Sequence, residues 1–391
     1  MKRRYTRREL LAMGASAALG LGSQLARSAS AQDDFHPVEL IVVPPIPETI
    51  GFKIAQMIMV GFHGTSIREG SPIWEAVRSR RIGGVLLFDH PDPSIGNIQS
   101  PEQLKTLTAS LQELTPVPLL IAVDQEGGAV ARLKPRNGFP SMPSQQYLGN
   151  QNDPSMTRRY ANTAAFLLRE HGINLNLAPV VDLNTNPSNP VIGSLGRSFS
   201  ADAAIVSAHS FEVLAAHMER RVYCALKHFP GHGSSRADSH AGFVDVTNTW
   251  SRQELEPYKQ IITWGMCNVI MTAHIYNAHL DPELPATLSY PTITGLLRGE
   301  LGYDGVIMTD DMQMGAITAY YSFDKAIELA VKAGVDIITI GNNLLYGPDT
   351  VARAISVIRG LLERSEITYD QIDQSYRRIK RLKASLYPFQ K

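Results

Sequence analysis

Short apolar runs recur along the chain and alternate with segments that have helical periodicity. Each run has the length of a strand, is rich in Val, Ile and Leu, and is almost continuous rather than alternating with polar residues. Strands that are covered on both faces have this composition, which is typical of a parallel sheet. The runs span residues 56–62, 83–88, 117–123, 173–182, 222–229, 268–275, 305–310 and 335–341.

The intervening segments predict helices that cover such a sheet. Residues 101–115, 154–172 and 323–334 are examples, and the last two end in Gly, which tolerates the left-handed conformation at a helix stop. Eight strand–helix units in about 330 residues predict one α/β domain, a (β/α)8 barrel of the TIM type, with room for an irregular strand near its N-terminus. The main alternative, a doubly wound open sheet, usually has a glycine-rich phosphate loop after its first strand, and GFHGTS at 61–66 is not such a loop.

The first 31 residues differ from the rest of the chain. They have a basic start, an apolar middle of Ala, Gly and Leu, and the sequence ASA at 29–31, which is the layout of a cleavable export signal. Thr6-Arg7-Arg8 followed by two leucines resembles the twin-arginine type, which exports folded proteins. A membrane-spanning helix is disfavoured because the apolar stretch is short and interrupted by glycines.

Three segments are therefore expected. Residues 1–31 are predicted to be the export signal, residues 32–50 an extended proline-rich lead-in, and residues 51–391 the barrel. The mature protein is accordingly expected to be periplasmic or extracellular, without stable membrane insertion.

Charge and cysteine content narrow the function classes. The 37 basic and 37 acidic residues balance, and there is no basic stripe, so nothing indicates a nucleic-acid partner. Cys224 and Cys267 both lie in apolar runs. Because a protein that folds before export gains little from a disulfide, we expect two buried free thiols. Nothing in the sequence specifies an oligomeric state.

Ionisable residues are depleted inside the predicted strands and lie at or just past their C-terminal ends. They are Asp124, Asp182, the Lys227–His228 pair, His274 and Asp310. Because a parallel barrel gathers the C-terminal ends of all its strands on one face, these side chains are expected to share a site. A polar residue at one strand end needs no function, but five such ends together favour a functional cluster.

Residues 231–248 have little helix or strand signal, and a loop of this length is often an active-site lid. Asp238 and His240 lie two residues apart in it, a spacing that projects both side chains to the same side of an extended segment. A carboxylate beside an imidazole fixes its tautomer and stabilises its cation, which suits a general acid/base near neutral pH. A solvated loop histidine is the alternative interpretation, because such a pair also occurs by chance.

Two adjacent acids close the seventh run, in MTDDMQMGAI at 308–317. Their side chains point in opposite directions if the strand continues, so only one of them faces the barrel mouth. We assign that position to Asp310 and expect Asp311 to cap the following helix.

A metal site is a second interpretation of the histidine-rich stretch. The available ligands are His228, His232, Asp238, His240 and His274. However, Lys227 adjoins them and would repel a cation, and the first run does not end in the His-X-His of amidohydrolase-type barrels. We therefore expect neither a metal nor another cofactor.

Six motifs follow one another along the chain: AVDQEGGAVARL, GRSFS, KHFPGHG, DSH, MTAHIYNAHLDPELPATLS and GVIMTDDMQMGAI. In this order and spacing they resemble the family 3 glycoside hydrolases, specifically the β-N-acetylglucosaminidase (β-hexosaminidase) branch. The resemblance covers nearly all of the chain after the predicted signal. KHFPGHG followed by Asp-Ser-His is its most specific part, since other branches of the family lack that acid/base pair.

The resemblance implies a role for each matched residue. Asp310 matches the catalytic nucleophile, His240 the histidine acid/base, and Asp238 the carboxylate that orients it. The matched sugar-binding positions are Asp124, Arg132, Arg197, Lys227 and His228. The chain departs from the family pattern at Ala129, where many members have arginine, and at Ser234-Ser235, which replace more acidic or bulkier residues.

The activity implied is that of a retaining exo-β-N-acetylhexosaminidase. Such an enzyme would hydrolyse terminal N-acetylglucosamine from peptidoglycan- or chitin-derived oligosaccharides through a covalent glycosyl-Asp310 intermediate. The loop that carries His240 is expected to complete the site by closing. The alternatives left open are a family 3 β-glucosidase, transfer to phosphate instead of water, a metal-dependent barrel hydrolase and a non-catalytic glycan-binding barrel.

Overall fold

The structure is a computed structural model that describes residues 48–386. The predicted export signal and all but the last three residues of the predicted lead-in lie outside this part of the chain. The described residues form a nearly closed barrel of eight parallel strands surrounded by helices. This confirms the predicted (β/α)8 architecture.

Each of the eight predicted runs contains one strand of the barrel. The strands of the structure are β1 (Ile58–Gly61), β2 (Gly84–Leu86), β3 (Leu120–Val123), β4 (Gln125–Gly127), β5 (Val130–Ala131), β6 (Leu175–Asn176), β7 (Tyr223–Phe229), β8 (Val269–Thr272), β9 (Val306–Met308) and β10 (Ile338–Ile340). β4 and β5 form an antiparallel hairpin, and the other eight strands are the parallel strands of the barrel.

The predicted helices are present, and residues that favour helix ends flank them. The helices are α1 (Ile50–Gln56), α2 (Pro72–Arg78), α3 (Pro101–Glu113), α4 (Gln145–Gln151), α5 (Pro154–Glu170), α6 (Ala203–Glu219), α7 (Glu256–Thr263), α8 (Gly315–Thr318), α9 (Phe323–Ala333), α10 (Thr350–Glu363) and α11 (Tyr369–Lys383). A π-helix spans Pro291–Glu300, and short 3-10 helices span Pro135–Asn137, Arg252–Leu255, Ala286–Leu288 and Ala384–Leu386. Of these helices, α9 illustrates the terminal signals, because the Ser322 side chain accepts a hydrogen bond from the Lys325 N–H and the helix stops at Gly334, with φ of 101°.

The remaining gap of the barrel, between β9 and β10, is spanned by backbone hydrogen bonds next to these strands. The Thr309 N–H donates to the Ile337 carbonyl at 2.9 Å, and the Ile337 N–H donates to the Ile307 carbonyl at 3.0 Å. Neighbouring strand residues such as Ile58 and Met59 point to opposite faces, and both are fully buried. The strands are therefore covered inside by the barrel core and outside by the helices, which explains why the apolar runs do not alternate.

The β4–β5 hairpin was not predicted, and two glycines permit it. Gly127 and Gly128 have φ of 100° and 59°, values that side chains other than glycine adopt rarely. A Cβ atom at Gly127 would lie 2.2 Å from the Pro143 carbonyl oxygen. The hairpin lies after β3, so it places Glu126 and Arg132 at the C-terminal ends of the barrel strands.

Helix α11 lies at the opposite end of the barrel. The buried Lys383 ammonium donates to Gln56 Oε1 at 2.8 Å and to the Gly83 carbonyl at 2.6 Å. Gln56 lies two residues before β1, and Gly83 lies directly before β2. The helix therefore packs against the N-terminal ends of the strands and leaves the C-terminal ends for a site. Among the helices of residues 48–386, none combines the length and hydrophobicity that a membrane-spanning segment requires.

Both cysteines are free, as expected. Cys224 lies in β7 and is buried, whereas Cys267 lies just before β8 and is only partly buried.

Candidate active site

A cavity of about 300 Å³ lies at the C-terminal ends of the strands. All eight residues that the sequence marked as catalytic or sugar-binding line it: Asp124, Arg132, Arg197, Lys227, His228, Asp238, His240 and Asp310. A larger cavity of about 490 Å³ lies beside the end of β1, and none of these eight residues lines it. The candidate site is therefore the smaller cavity, because the ionisable groups converge there and not on the larger one.

Asp310 follows β9 and faces the cavity. Its Oδ1 accepts a hydrogen bond from the Asp311 N–H at 2.8 Å. Burial alone would raise the pKa of the Asp310 carboxyl, but the neighbouring His274 and His228 imidazoles, this N–H and the Lys227 ammonium lower it below its ordinary value. The lowered pKa therefore favours the ionised form of Asp310.

Asp311 does not cap the following helix, so that expectation was wrong. Helix α8 begins only at Gly315, and its N-cap residue is Met314. The Asp311 Oδ1 instead accepts hydrogen bonds from the Gly341 N–H at 2.7 Å and from the Gln313 N–H at 3.0 Å. The side chain thus ties the end of β9 to the end of β10, beside Asp310.

Asp238 and His240 form the pair that their spacing predicts. Asp238 Oδ1 accepts hydrogen bonds from both the backbone N–H and Nδ1 of His240, each at 2.8 Å. This contact favours the tautomer with the proton on Nδ1, so Nε2 is the nitrogen that can exchange a proton with a ligand. The imidazole lines the cavity and is 54% exposed, so a ligand or water in the cavity can reach it.

The base of the loop that carries this pair is firmly held. Asp182 Oδ1 accepts from the backbone N–H groups of His228 at 3.1 Å and His232 at 2.8 Å. The His232 ring bonds Ser235 Oγ at 2.8 Å and Ser239 Oγ at 3.2 Å. Burial lowers the pKa of His232 to about 4, so this ring is a neutral structural link within the loop.

The tip of the loop rests on the segment that follows Asp310. The Gly315 N–H donates to the His240 carbonyl at 3.2 Å, and the Ala316 N–H donates to the Ser239 carbonyl at 3.0 Å. The residue predicted to be the acid/base is therefore attached through its backbone to the residues just beyond the predicted nucleophile.

Two of the histidines considered above as possible metal ligands have other hydrogen-bond partners. His228 Nδ1 bonds Asp182 Oδ2 at 2.7 Å, and His274 bonds Thr287 Oγ1 and the Asp311 carbonyl, each at 2.9 Å. Within residues 48–386, no group of three or more His, Cys, Asp or Glu side chains is arranged to hold a metal ion.

A network of buried charges forms the wall of the cavity next to β3 and β7. The Lys227 ammonium contacts Asp124 Oδ1 and Glu126 Oε1, both at 2.7 Å, and Arg132 Nη2 donates to Asp124 Oδ2 at 2.8 Å. Burial raises the pKa of Asp124, but the two cations lower it well below its ordinary range, so Asp124 remains a carboxylate. Anionic and cationic groups side by side can accept from and donate to adjacent sugar hydroxyls.

Glu126 was missed by the sequence analysis: it does not line the cavity itself, but it holds the lining residues Arg197 and Lys227 from behind. Both of its oxygens accept from Arg197, with Nε–Oε2 and Nη2–Oε1 distances of 2.8 Å. Burial raises the pKa of Glu126, but the charges of Arg197 and Lys227 lower it. Its position two residues after Asp124 was the available signal, because that spacing repeats a side-chain direction in extended chain.

Residues 49–382 match the model of the glycosyl hydrolase family 3 N terminal domain. Beta-hexosaminidase A of Pseudoalteromonas piscicida is 35% identical over 338 residues, covering 80% of this chain and 55% of that protein. The chain thus spans about half the length of that relative. A beta-hexosaminidase of Xylella fastidiosa (strain 9a5c) is 33% identical over 313 residues, covering 78% of this chain and 87% of that protein.

Solved structures of family 3 enzymes are also similar to this chain. A family 3 beta-N-acetylglucosaminidase from Paenibacillus sp. str. FPU-7 superposes with a TM-score of 0.78 at 35% identity, covering 86% of this chain and 63% of that one. A beta-N-acetylhexosaminidase from Beutenbergia cavernae DSM 12333 gives a TM-score of 0.77 at 28% identity, covering 86% of this chain and 98% of that one. The chain therefore belongs to glycoside hydrolase family 3 and groups with its beta-hexosaminidases.

Proposed function

We propose that the protein is a retaining, exo-acting β-N-acetylhexosaminidase that removes terminal N-acetylglucosamine from glycans. Family membership supports glycoside hydrolysis, and the names of the relatives support the hexosaminidase type. The observation that carries the mechanism is that Asp310 and the Asp238–His240 pair line the same cavity. A retaining glycosidase needs these two functions, a nucleophile and a proton donor, on either side of the scissile bond.

In the first step the Asp310 carboxylate attacks the anomeric carbon of the terminal sugar. The bond to the leaving oxygen breaks as the glycosyl ester forms, and His240 Nε2 gives its proton to that oxygen, so an alcohol departs. The lowered pKa of Asp310 keeps the nucleophile ionised.

In the second step water replaces the leaving alcohol. The neutral His240 accepts a proton from the water while its oxygen attacks the anomeric carbon and releases Asp310. The Asp238 contact at Nδ1 orients the ring in both steps and leaves Nε2 as the nitrogen that exchanges the proton. The overall configuration at the anomeric carbon is retained, because each step inverts it once.

The charge network would hold the terminal sugar. Asp124 would accept hydrogen bonds from sugar hydroxyls, while Arg132, Lys227 and Arg197, which line the same cavity, would donate. His228 is fixed against Asp182 and also lines the cavity. A cavity of about 300 Å³ is at the small end for ligand pockets, which favours one terminal sugar over the interior of a chain.

Turnover of aryl glycosides tests this proposal. Wild-type protein should hydrolyse an aryl N-acetyl-β-glucosaminide with or without a chelator, and Asp310→Ala should abolish turnover. Asp304→Ala is a matched control, because this exposed carboxylate precedes the same strand at its other end. Persistence of turnover in Asp310→Ala would remove the mechanism. Parallel assays with the glucoside, and with phosphate added, separate the hexosaminidase from a glucosidase or a phosphate-using enzyme.

We further propose that the enzyme acts outside the cytoplasm on peptidoglycan or chitin fragments. The support is the signal-like sequence of residues 1–31. Replacing Arg7 and Arg8 together by lysine should retain the protein inside the cell if the twin-arginine interpretation is right. Unchanged export of that variant would contradict it.

A further inference from the structure

Three aromatic side chains from different segments form a cluster at the surface, which we call the aromatic platform: Phe243, Tyr276 and Tyr320. The Phe243 ring lies 5.3 Å from the Tyr276 ring and 5.5 Å from the Tyr320 ring, measured between centroids. Although the rings contact one another, Phe243 remains 45% exposed and Tyr320 60% exposed. Exposed apolar groups that are clustered rather than scattered mark binding surfaces more often than packing.

The platform lies on the same loops as the candidate acid/base. Phe243 follows His240 by three residues. Tyr276 lies after β8, and its backbone N–H donates to the Val244 carbonyl at 2.8 Å, next to Phe243. Tyr320 follows α8, the helix whose first residue contacts the His240 carbonyl. The platform is therefore tied by backbone hydrogen bonds to the loop that presents His240.

The orientation of the bound glycan determines which part of it lies next to this platform. Under the proposed function, the cavity of about 300 Å³ holds the terminal sugar, and His240, which lines it, protonates the oxygen that leaves. The next sugar is attached to that oxygen, so it must lie on the His240 side of the site. Exposed aromatic rings such as Phe243 and Tyr320 suit the C–H faces of sugar rings, and Tyr320 adds a hydroxyl group. The Tyr276 hydroxyl already donates to the Pro282 carbonyl at 2.8 Å, so this residue mainly supports the Phe243 ring.

We infer that the aromatic platform is a binding site for the leaving part of the substrate, and that this part is a glycan of at least one further sugar ring. The inference rests on the proposed function and deepens it. It makes the enzyme selective for oligosaccharides over small aglycones, with Phe243 and Tyr320 providing the stacking surfaces.

The test compares substrates that need the same proton transfer. Methyl N-acetyl-β-glucosaminide and N,N′-diacetylchitobiose both release an alkyl alcohol, but only the second carries a sugar ring on the leaving side. Phe243→Ala and Tyr320→Ala should each lower kcat/KM for the disaccharide roughly 3- to 10-fold more than for the methyl glycoside. Tyr320→Phe should keep most of the wild-type preference, because it keeps the ring.

Tyr369→Ala is the matched control, since Tyr369 is 65% exposed and begins α11 at the other end of the barrel. Equal losses of kcat/KM on both substrates would show that the platform only holds the loops together. No loss on either substrate would show that the platform does not bind the glycan. Either result overturns the inference. Wild-type protein inactive on every N-acetylglucosaminide would instead overturn the proposed function, and this inference with it.

Discussion

The backbone N–H of Gly315 donates to the carbonyl of His240 at 3.2 Å. This hydrogen bond joins the loop of the candidate acid/base to the segment that follows the candidate nucleophile. The two halves of the proposed mechanism are therefore positioned relative to each other by a backbone contact at a glycine. A Cβ atom at Gly315 would lie 2.6 Å from the His240 carbonyl oxygen, too close for the loop to keep its place.

Gly315→Ala should therefore displace His240 without removing any catalytic group. Hydrolysis of alkyl glycosides, which need protonation, should fall roughly 10- to 100-fold, and hydrolysis of activated aryl glycosides should fall much less. Steady-state kinetics on the two substrate classes check this. Gly242→Ala is the control, because it lies on the same loop and a Cβ there meets nothing within 4 Å. Equal losses on both substrate classes would contradict a role in positioning the acid.

Removal of the acid itself should show the same selectivity more strongly. His240→Ala should slow poor leaving groups by roughly 100- to 10,000-fold and good leaving groups less, because only poor ones need a proton. A plot of log kcat/KM against the pKa of the leaving group should become steeper than in wild type. An unchanged slope would mean that another residue supplies the proton. The kcat/KM of Asp238→Asn on poor leaving groups should lie between those of wild type and His240→Ala, since this variant keeps the imidazole but loses the orienting charge.

Glu126 holds two cations of the proposed sugar site, so its loss should affect both stability and substrate binding. Its side chain is 1% exposed and contacts Arg197 and Lys227. Glu126→Ala leaves both charges without this partner and should lower the free energy of unfolding by roughly 3 to 5 kcal/mol, with a higher KM in the remaining folded enzyme. Urea denaturation measures the first effect and kinetics the second.

The control for Glu126 is Glu48→Ala, which removes the partially exposed ion pair with Lys380. It should cost about 1 kcal/mol or less and leave KM unchanged. A similar cost for both variants would contradict the view that the buried network is tightly coupled.

A buried carboxyl beneath the His240 loop should make stability depend on pH. Burial, and then the Asp182 charge, raise the pKa of Glu254 to about 8, and Glu254 Oε2 accepts from the Gly233 N–H at 3.1 Å. The unfolded chain releases this proton near the ordinary value of 4.5, whereas the folded protein keeps it until about pH 8. The stability contribution is therefore present below pH 4.5 and is lost as the pH rises to about 8.

Glu254→Gln should remove this dependence, because the amide stays neutral and can keep the contact with Gly233. Relative to wild type, the variant should gain stability as the pH rises from 5 to 9, by an amount on the order of 2 to 4 kcal/mol. Urea denaturation at each pH gives the difference directly. A constant difference across this range would show that Glu254 titrates normally.

The barrel could be predicted because its signal is local. A strand covered on both faces needs an apolar run, as at Ile58–Gly61, and the helices around it carry their own stop signals, as at Gly334. The candidate site followed from the barrel, because strand ends on one face bring Asp124 and Asp310 together whatever the details of packing.

The sequence did not predict the roles of residues whose hydrogen-bond partners are distant along the chain. Asp311 was expected to cap a helix, but its partner Gly341 lies 30 residues away. Glu126 was missed because its significance depends on Arg197, 71 residues further along. The β4–β5 hairpin is too short to give a strand pattern and depends on the backbone conformations of Gly127 and Gly128. Tertiary contacts of this kind leave no periodic trace in the sequence.

The central claim is that Asp310 becomes covalently attached to the terminal sugar. Incubation with a 5-fluoro analogue of N-acetylglucosaminyl fluoride should inactivate the enzyme, because the good leaving group lets the ester form while the ring fluorine slows its hydrolysis. Mass spectrometry of the digested protein should then place one sugar adduct on the peptide that contains Asp310. An adduct on a different side chain, or turnover of the analogue with no adduct and with inverted product, would contradict the account.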